Sequence, residues 1–355
     1  TILMIQGTAG FYPGCSGGNM QREGICALGN MIVDLLFEVE RYPGLGELSA
    51  IRGARGMSAG GLACNIPLDL ARLDGSLPIQ ACGVLGDDAE GDYLRAQFSQ
   101  FENIDTGRIL PGAQTDYTLV INDAQTRERT FFSYCGSSGL LDADSLDLSA
   151  LPARILHAGY ILLLEGLDRS DKEHGTQMAK LLRRAQRLGM RTSVDVVSET
   201  GDRFTRLVPP ALRYTDYCII NELEAQQVVG VPLREPDGRL RAENMREALG
   251  RLKALGVGAW AVVHCPEGAY GLDERGEYTA LPSLRLSADE IKSTTGAGDA
   301  FCAGTLYGAH EGWRLADALR LGTAAAALSL GGHDTYSNIL PVAESLRFYK
   351  EKGGR

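Results

Sequence analysis

A chain of 355 residues with 44% hydrophobic and 23% charged side chains carries enough apolar material for one large core or two ordinary ones, which excludes a disordered or fibrous protein. Its formal net charge of −10 repels polyanions and argues against nucleic acid or an anionic membrane as a partner. The short basic cluster Arg183, Arg184 and Arg187 reads as the wet face of a helix.

In chain order, positions 1–23 are glycine-rich and lack the basic leader and long apolar segment of a secretory signal, so they read as a loose arm. From about 25 to 330, strand patterns alternate with helical ones, which predicts βαβ units and a mostly parallel sheet. Stretches 25–28, 192–197, 217–220 and 260–264 are short apolar runs of the kind buried on both faces. Helical stripes lie between them: Leu94, Phe98 and Phe101; Met178, Leu181, Leu182 and Ala185 before a stop at Gly189; Met245, Leu249 and Leu252 before Gly256. Two stretches, 35–52 and 115–134, read as strands without helices, the second with a turn at Asn122-Asp-Ala-Gln. Paired with one another they would form a small sheet, a lid over a site. The longest apolar run, 155–164, is about half a membrane span and is interrupted by His157 and Gly159, so no transmembrane helix is expected. The eight cysteines (15, 26, 64, 82, 135, 218, 265, 302) form no C-x-x-C pair or zinc-type cluster and read as free thiols of a reducing cytoplasm.

The chemistry concentrates in KSTTGAGDAFCAG, 292–304, where a glycine-rich turn runs into a helix expected over 300–308. A helix start leaves backbone N–H groups unpaired and its dipole favours negative charge, so Gly296, Ala297 and Gly298 would let those groups approach a phosphate. Asp299 beside them would take a proton from an attacking hydroxyl. Alone, an Asp in a first turn is more often only a complement to the helix dipole. No G-x-x-x-x-G-K-[ST] P-loop occurs, and no G-x-G-x-x-G follows a strand. Asp34 follows an apolar strand, where carboxylates meet ligand hydroxyls or simply end a strand in solvent. Gly60-Gly61 and Asn65 fit a ligand-contacting turn or a plain helix start. Glu222 and Glu224 follow the strand 217–220 and are hard oxygen ligands for Mg²⁺, or else the acidic first turn of a helix over 222–229.

Together these stretches resemble the ribokinase-like sugar kinases, the phosphofructokinase B family, over about residues 24–345. STTGAGDAFCAG is similar to the family's C-terminal signature, GNMIVD (29–34) to its N-terminal strand, SAGGLACN (58–65) to its Gly-Gly-x-x-x-Asn segment and NELE (221–224) to its Asn-x-x-Glu motif; GVLGDDAEGDYL (83–94) and RTFFSYCG (129–136) are similar to further segments. The resemblance implies a three-layer α/β sandwich with a mostly parallel central sheet over 24–33, 53–112 and 136–345, a β-sheet lid over 34–52 and 113–135, and a C-terminal tail over 346–355. It implies an anion hole at Gly296, Ala297 and Gly298 with Asp299 as general base, and sugar contacts from Asp34, Gly60, Gly61 and Asn65. Asn221, Cys265, Gly268 and Thr295 would meet ATP, and Glu222 and Glu224 would organise Mg²⁺. Glu165, ending the 155–164 run, would be a further hydroxyl contact or a buried-edge acid.

Three departures stand out. Ser293 replaces an Asp that in relatives helps hold a monovalent cation, which predicts weak or absent K⁺ activation. Cys265 stands where the family often has Gly near the nucleotide. Cys135-Gly-Ser-Ser replaces a frequent Gly-Ala-Asn, so the acceptor is not carried over. Few Arg or Lys fall in the matched sugar segments, which favours a neutral, non-phosphorylated sugar. A nucleoside acceptor, with Phe131 or Phe132 stacking on the base, and a non-catalytic sugar-binding regulatory protein are the alternatives. An apolar lid face would make the protein a cytoplasmic homodimer, lid to lid.

Overall fold

The computed structural model describes residues 22–354 apart from positions 127, 200 and 333, so the arm expected at 1–23 lies outside the described residues up to position 21. Arg22 and Glu23 are already tied to the main body: Arg22 Nε donates to the Leu188 carbonyl at 2.9 Å and the Glu23 amide to that of Pro152 at 2.9 Å.

The large sheet runs in the order Tyr278–Pro282, Gly268–Leu272, Trp260–Cys265, Tyr217–Asn221, Arg191–Val196, Ile155–Ile161, Ile25–Gly29, Ile79–Cys82, Ile104–Asp105. Pairing is parallel from Trp260–Cys265 to Ile104–Asp105 and antiparallel for the other edge. The central strands are buried almost throughout because helices cover both faces, giving one core with the Gln177–Arg187 and Met245–Ala254 helices and a second with Leu62–Leu73, Ala297–His310 and Leu315–Ser329. The last two helices approach so closely that a Cβ on Gly304 would sit 2.8 Å from the Gly322 Cα. This contact fixes the helix that carries Asp299.

The lid is a four-stranded sheet in the order Ile51–Gly60, Ile32–Val39, Asp116–Asp123, Arg129–Tyr134. Its limits differ from expectation: Ile51–Gly60 pairs along its length with Ile32–Val39 and belongs to the lid rather than to the main body. The stretch IRGARGMSAG has no alternation of apolar and polar residues, so nothing local marks it as a strand. Asp34 likewise ends no strand of the large sheet. The chain leaves that sheet at Gly29, and Asp34 is the third residue of the lid strand Ile32–Val39. The expected tail at 346–355 is mostly helix: Val342–Glu351 buries Tyr349 to 2% exposure.

Candidate active site

The Ala297–His310 helix begins three residues before the expected 300, which places Asp299 in its first turn. Gly296 precedes it with φ +82°, and a Cβ there would meet Thr335 Cγ2 at 2.3 Å, so both backbone and space require glycine. The first i→i−4 bond is donated by the Ala300 amide to the Gly296 carbonyl, which leaves the amides of Ala297, Gly298 and Asp299 without intrahelical acceptors. Asp299 is 7% exposed. Its Oδ2 accepts from Asn65 Nδ2 at 2.8 Å and its Oδ1 from the Tyr160 hydroxyl at 2.6 Å. Burial pushes its pKa up, and these two bonds pull part of that rise back. Asn65, expected against a sugar hydroxyl, is buried and orients the acid instead; its Oδ1 accepts from Thr335 Oγ1 at 3.1 Å.

Two cavities meet at the stretch 291–298. The first, about 860 Å³, is lined by Asn221, Glu222, Cys265, Gly268, Thr294, Ala297 and Gly298. The second, about 640 Å³, is lined by Asp34, Ser58, Arg129, Phe131, Ser293, Thr295 and Thr335. Both volumes lie within the range of roughly 300–1,000 Å³ usual for small-ligand sites. Thr295, expected on the nucleotide side, lies in the second cavity, where its Oγ1 accepts from Arg129 Nη1 at 2.9 Å. The loop divides its residues between the two cavities: Thr294 faces the first, and Ser293 and Thr295 the second. Gly60 packs against Asp34 and Gly61 caps the Leu62–Leu73 helix. Burial raises the Asp34 pKa to about 6 against the pull of Arg129. Glu165 is exposed and lines neither cavity; it opens the short helix Glu165–Asp168 beside Gly139.

The two acids of NELE separate. Glu222 is bound by Arg234, whose Nε donates to its Oε1 at 2.9 Å while Nη2 donates to Glu267 at 2.8 Å, so its charge is already neutralised. Glu224 is buried: its Oε1 accepts from Ser198 Oγ at 2.8 Å and Asn221 Nδ2 at 2.7 Å, and its Oε2 from the Asn221 amide at 2.9 Å, the reciprocal cap of the Glu222–Val229 helix. Burial raises its pKa to about 7. Asp195, at the carboxyl end of Arg191–Val196, is buried, and its pKa is raised well above its ordinary value by desolvation and then by Glu224 and Asp299. Asp195 and Glu224 are buried carboxylates near enough to raise one another's cost of ionisation, and their oxygens are hard donors of the kind a divalent cation takes. Asp195 and Glu224 fit Mg²⁺; Glu222, held by Arg234, does not.

Asp195, Tyr160, Ser198 and Arg129 escaped sequence reasoning. Asp195 had a usable signal, an acid within an apolar strand run; Tyr160 had none. His157 and Cys302 also approach Asp195, with ligand atoms within 4.8 Å of one another, but burial drives His157 down to about 3 and the Cys302 thiol up, so these two are neutral core neighbours of Asp195. Cys265 Sγ lies 3.5 Å from the Gly268 carbonyl, and burial pushes its thiol up to about 12, an unreactive wall of the first cavity. Among the described residues no helix is long and apolar enough to cross a membrane.

A buried acid on a helix start, just after a stretch that borders two cavities of an α/β sandwich with a small β lid, fits a phosphotransferase of the ribokinase fold. Residues 22–342 match the model of the pfkB family of carbohydrate kinases, and the chain belongs to that family. It is 25% identical over 313 residues to a ribokinase of Arabidopsis thaliana, covering 86% of this chain and 75% of that one. It is 28% identical over 294 residues to a 1-phosphofructokinase of Rhodobacter capsulatus, covering 82% and 84%. The solved structure of the Arabidopsis ribokinase complexed with ribose and ATP superposes with a TM-score of 0.75 at 19% identity, over 93% of this chain and 99% of that one.

Proposed function

We propose that the protein transfers the γ-phosphoryl group of ATP to a hydroxyl of a small sugar or related polyol in the cytoplasm. The observation that carries this reading is Asp299, a buried carboxylate in the first turn of a helix whose leading stretch, Ser293 to Gly298, divides its residues between the two cavities. ATP occupies the first cavity with its phosphates toward the amides of Ala297 to Asp299, and the acceptor occupies the second. The acceptor oxygen forms its bond to phosphorus as its proton passes to Asp299 and the bond to ADP breaks. Each carboxylate oxygen of Asp299 has two lone pairs, so the bonds from Asn65 and Tyr160 fix the acid while leaving room for the acceptor hydroxyl. Removing the base costs about 10²- to 10⁴-fold, and the preorganised loop amides stabilise charge on the transferring group. Asp195 and Glu224 would hold Mg²⁺, which when bound would neutralise phosphate charge. The lid strands over the second cavity exclude water as a competing acceptor.

A nucleoside acceptor is favoured by one observation, the ring of Phe131 in the second cavity, with Phe132 on the opposite lid face. The test is ADP release with ATP and Mg²⁺ over a panel of sugars and nucleosides, beside Asp299→Asn. Turnover by the wild type at least 10²-fold above the variant supports the kinase. If no compound is turned over above the variant while one raises the melting temperature, the protein is a binding protein.

A further inference from the structure

The cavity that Asp34 lines also receives two cations from different parts of the fold. Arg129 reaches it from the edge strand of the lid, and Lys292 from the stretch that leads into the Ala297–His310 helix. Neither forms an ion pair with a carboxylate among the described residues; Arg129 spends one donor on Thr295 Oγ1. The cavity's own acids do not answer them. Asp334 turns its Oδ1 to the amides of Tyr336 and Ser337, at 3.1 and 2.7 Å, and Asp34 feels Arg129 only as a field.

Counting basic residues segment by segment points to a neutral acceptor; the fold brings two of them to one cavity. A neutral polyol asks for hydroxyl partners and gains little from full positive charges. A guanidinium is a planar fork matched to a carboxylate or phosphate, and an ammonium is a point charge for the same groups. The two charges stand on the lid and on the main body, so an anion held between them would also join the two parts around the acceptor.

We propose that the acceptor is an anionic sugar or polyol whose carboxylate or phosphate is held between Arg129 and Lys292 while its hydroxyls face Asp34; this rests on the kinase reading above. The guanidinium identifies the anion's chemistry, not its source, so the test separates sugar acids from sugar phosphates.

Full-length protein is assayed for ADP release with glucose, gluconate and glucose 6-phosphate, and with fructose and fructose 6-phosphate. Binding of the same compounds without ATP is measured by calorimetry. The expected result is a kcat/KM for one anionic compound at least ~10-fold above its neutral counterpart, with KM for it rising about 10- to 100-fold in Arg129→Gln and in Lys292→Gln at nearly constant kcat. The gluconate and phosphate arms name the anion. Equal or better use of the neutral compounds overturns the proposal, and so does an unchanged preference in both variants. A uniform fall in kcat with every acceptor would place Arg129 on the transferring phosphoryl group and overturn it too. Should no compound be turned over above Asp299→Asn, the kinase reading fails and calorimetry decides this one: binding of an anionic compound that both variants weaken supports it, and absence of such binding overturns it.

Discussion

The hydroxyl of Tyr160 donates to Oδ1 of Asp299 at 2.6 Å, so a strand of the large sheet grips the acid that the helix start presents. That bond favours the charged carboxylate and lowers the Asp299 pKa against the rise imposed by burial. Tyr160→Phe removes it, and the pKa climbs. The acid limb of the kcat/KM profile, where Asp299 takes up its proton, therefore moves to higher pH. A profile that keeps its acid limb in the variant would show that Tyr160 does not tune the base.

Glu222 and Glu224 differ in what holds them, and the difference is measurable. Glu224→Gln removes a charge from the buried carboxylate group, so the Mg²⁺ concentration for half-maximal rate rises about 10-fold or more. Glu222→Gln changes it by less than about 3-fold because Arg234 already neutralises Glu222 and keeps Glu267 as partner. A titration with the opposite order would refute the assignment.

The raised pKa of Glu224 has a consequence for the metal-free protein. Its folded value of about 7 lies above the ordinary ~4.3 of a free Glu, so the stability it contributes is full below about pH 4 and is lost as pH rises through about 7. The melting temperature in chelator should include a fall over that window, and Glu224→Gln should flatten it. An identical pH dependence in the variant would remove Glu224 as the cause.

Ser293 brings a neutral hydroxyl to the acceptor cavity, its Oγ accepting from the Thr295 amide at 3.2 Å. A hydroxyl draws a monovalent cation less strongly than a carboxylate. Rates in K⁺ and in tetramethylammonium at equal ionic strength should agree within about 2-fold, and Ser293→Asp should introduce K⁺ stimulation. Many-fold stimulation of the wild type would sink the idea.

Alternate residues of the lid face away from the cavity, and this outer side carries Phe132, 52% exposed, with Tyr134 stacked on Tyr117 at 5.1 Å between ring centroids. Such a face closes best on a copy of itself. Light scattering should give twice the chain mass, and Phe132→Glu should return the single-chain mass. A wild-type monomer at micromolar concentration would count against the pairing.

The main-sheet strands and the 222–229 helix were legible because buried parallel strands are continuous apolar runs and because Asn221 and Glu224 form a reciprocal cap. The loop into the Asp299 helix was legible from its glycines. Ile51–Gly60 was not, since a glycine- and alanine-rich edge strand is specified by its neighbour and not by its own pattern. The partners of Asp299 were hidden for a related reason. Asn65 and Tyr160 lie 234 and 139 positions away in the chain, and only the packing of three elements makes them neighbours.

The alternation of Ser293, Thr294 and Thr295 between two cavities makes one short segment a party wall between two chambers. A change that reshapes one chamber moves the wall of the other. With ATP in one chamber and the acceptor in the other, as proposed above, donor and acceptor preference would be linked traits, and engineering either one would call for paired substitutions along that wall.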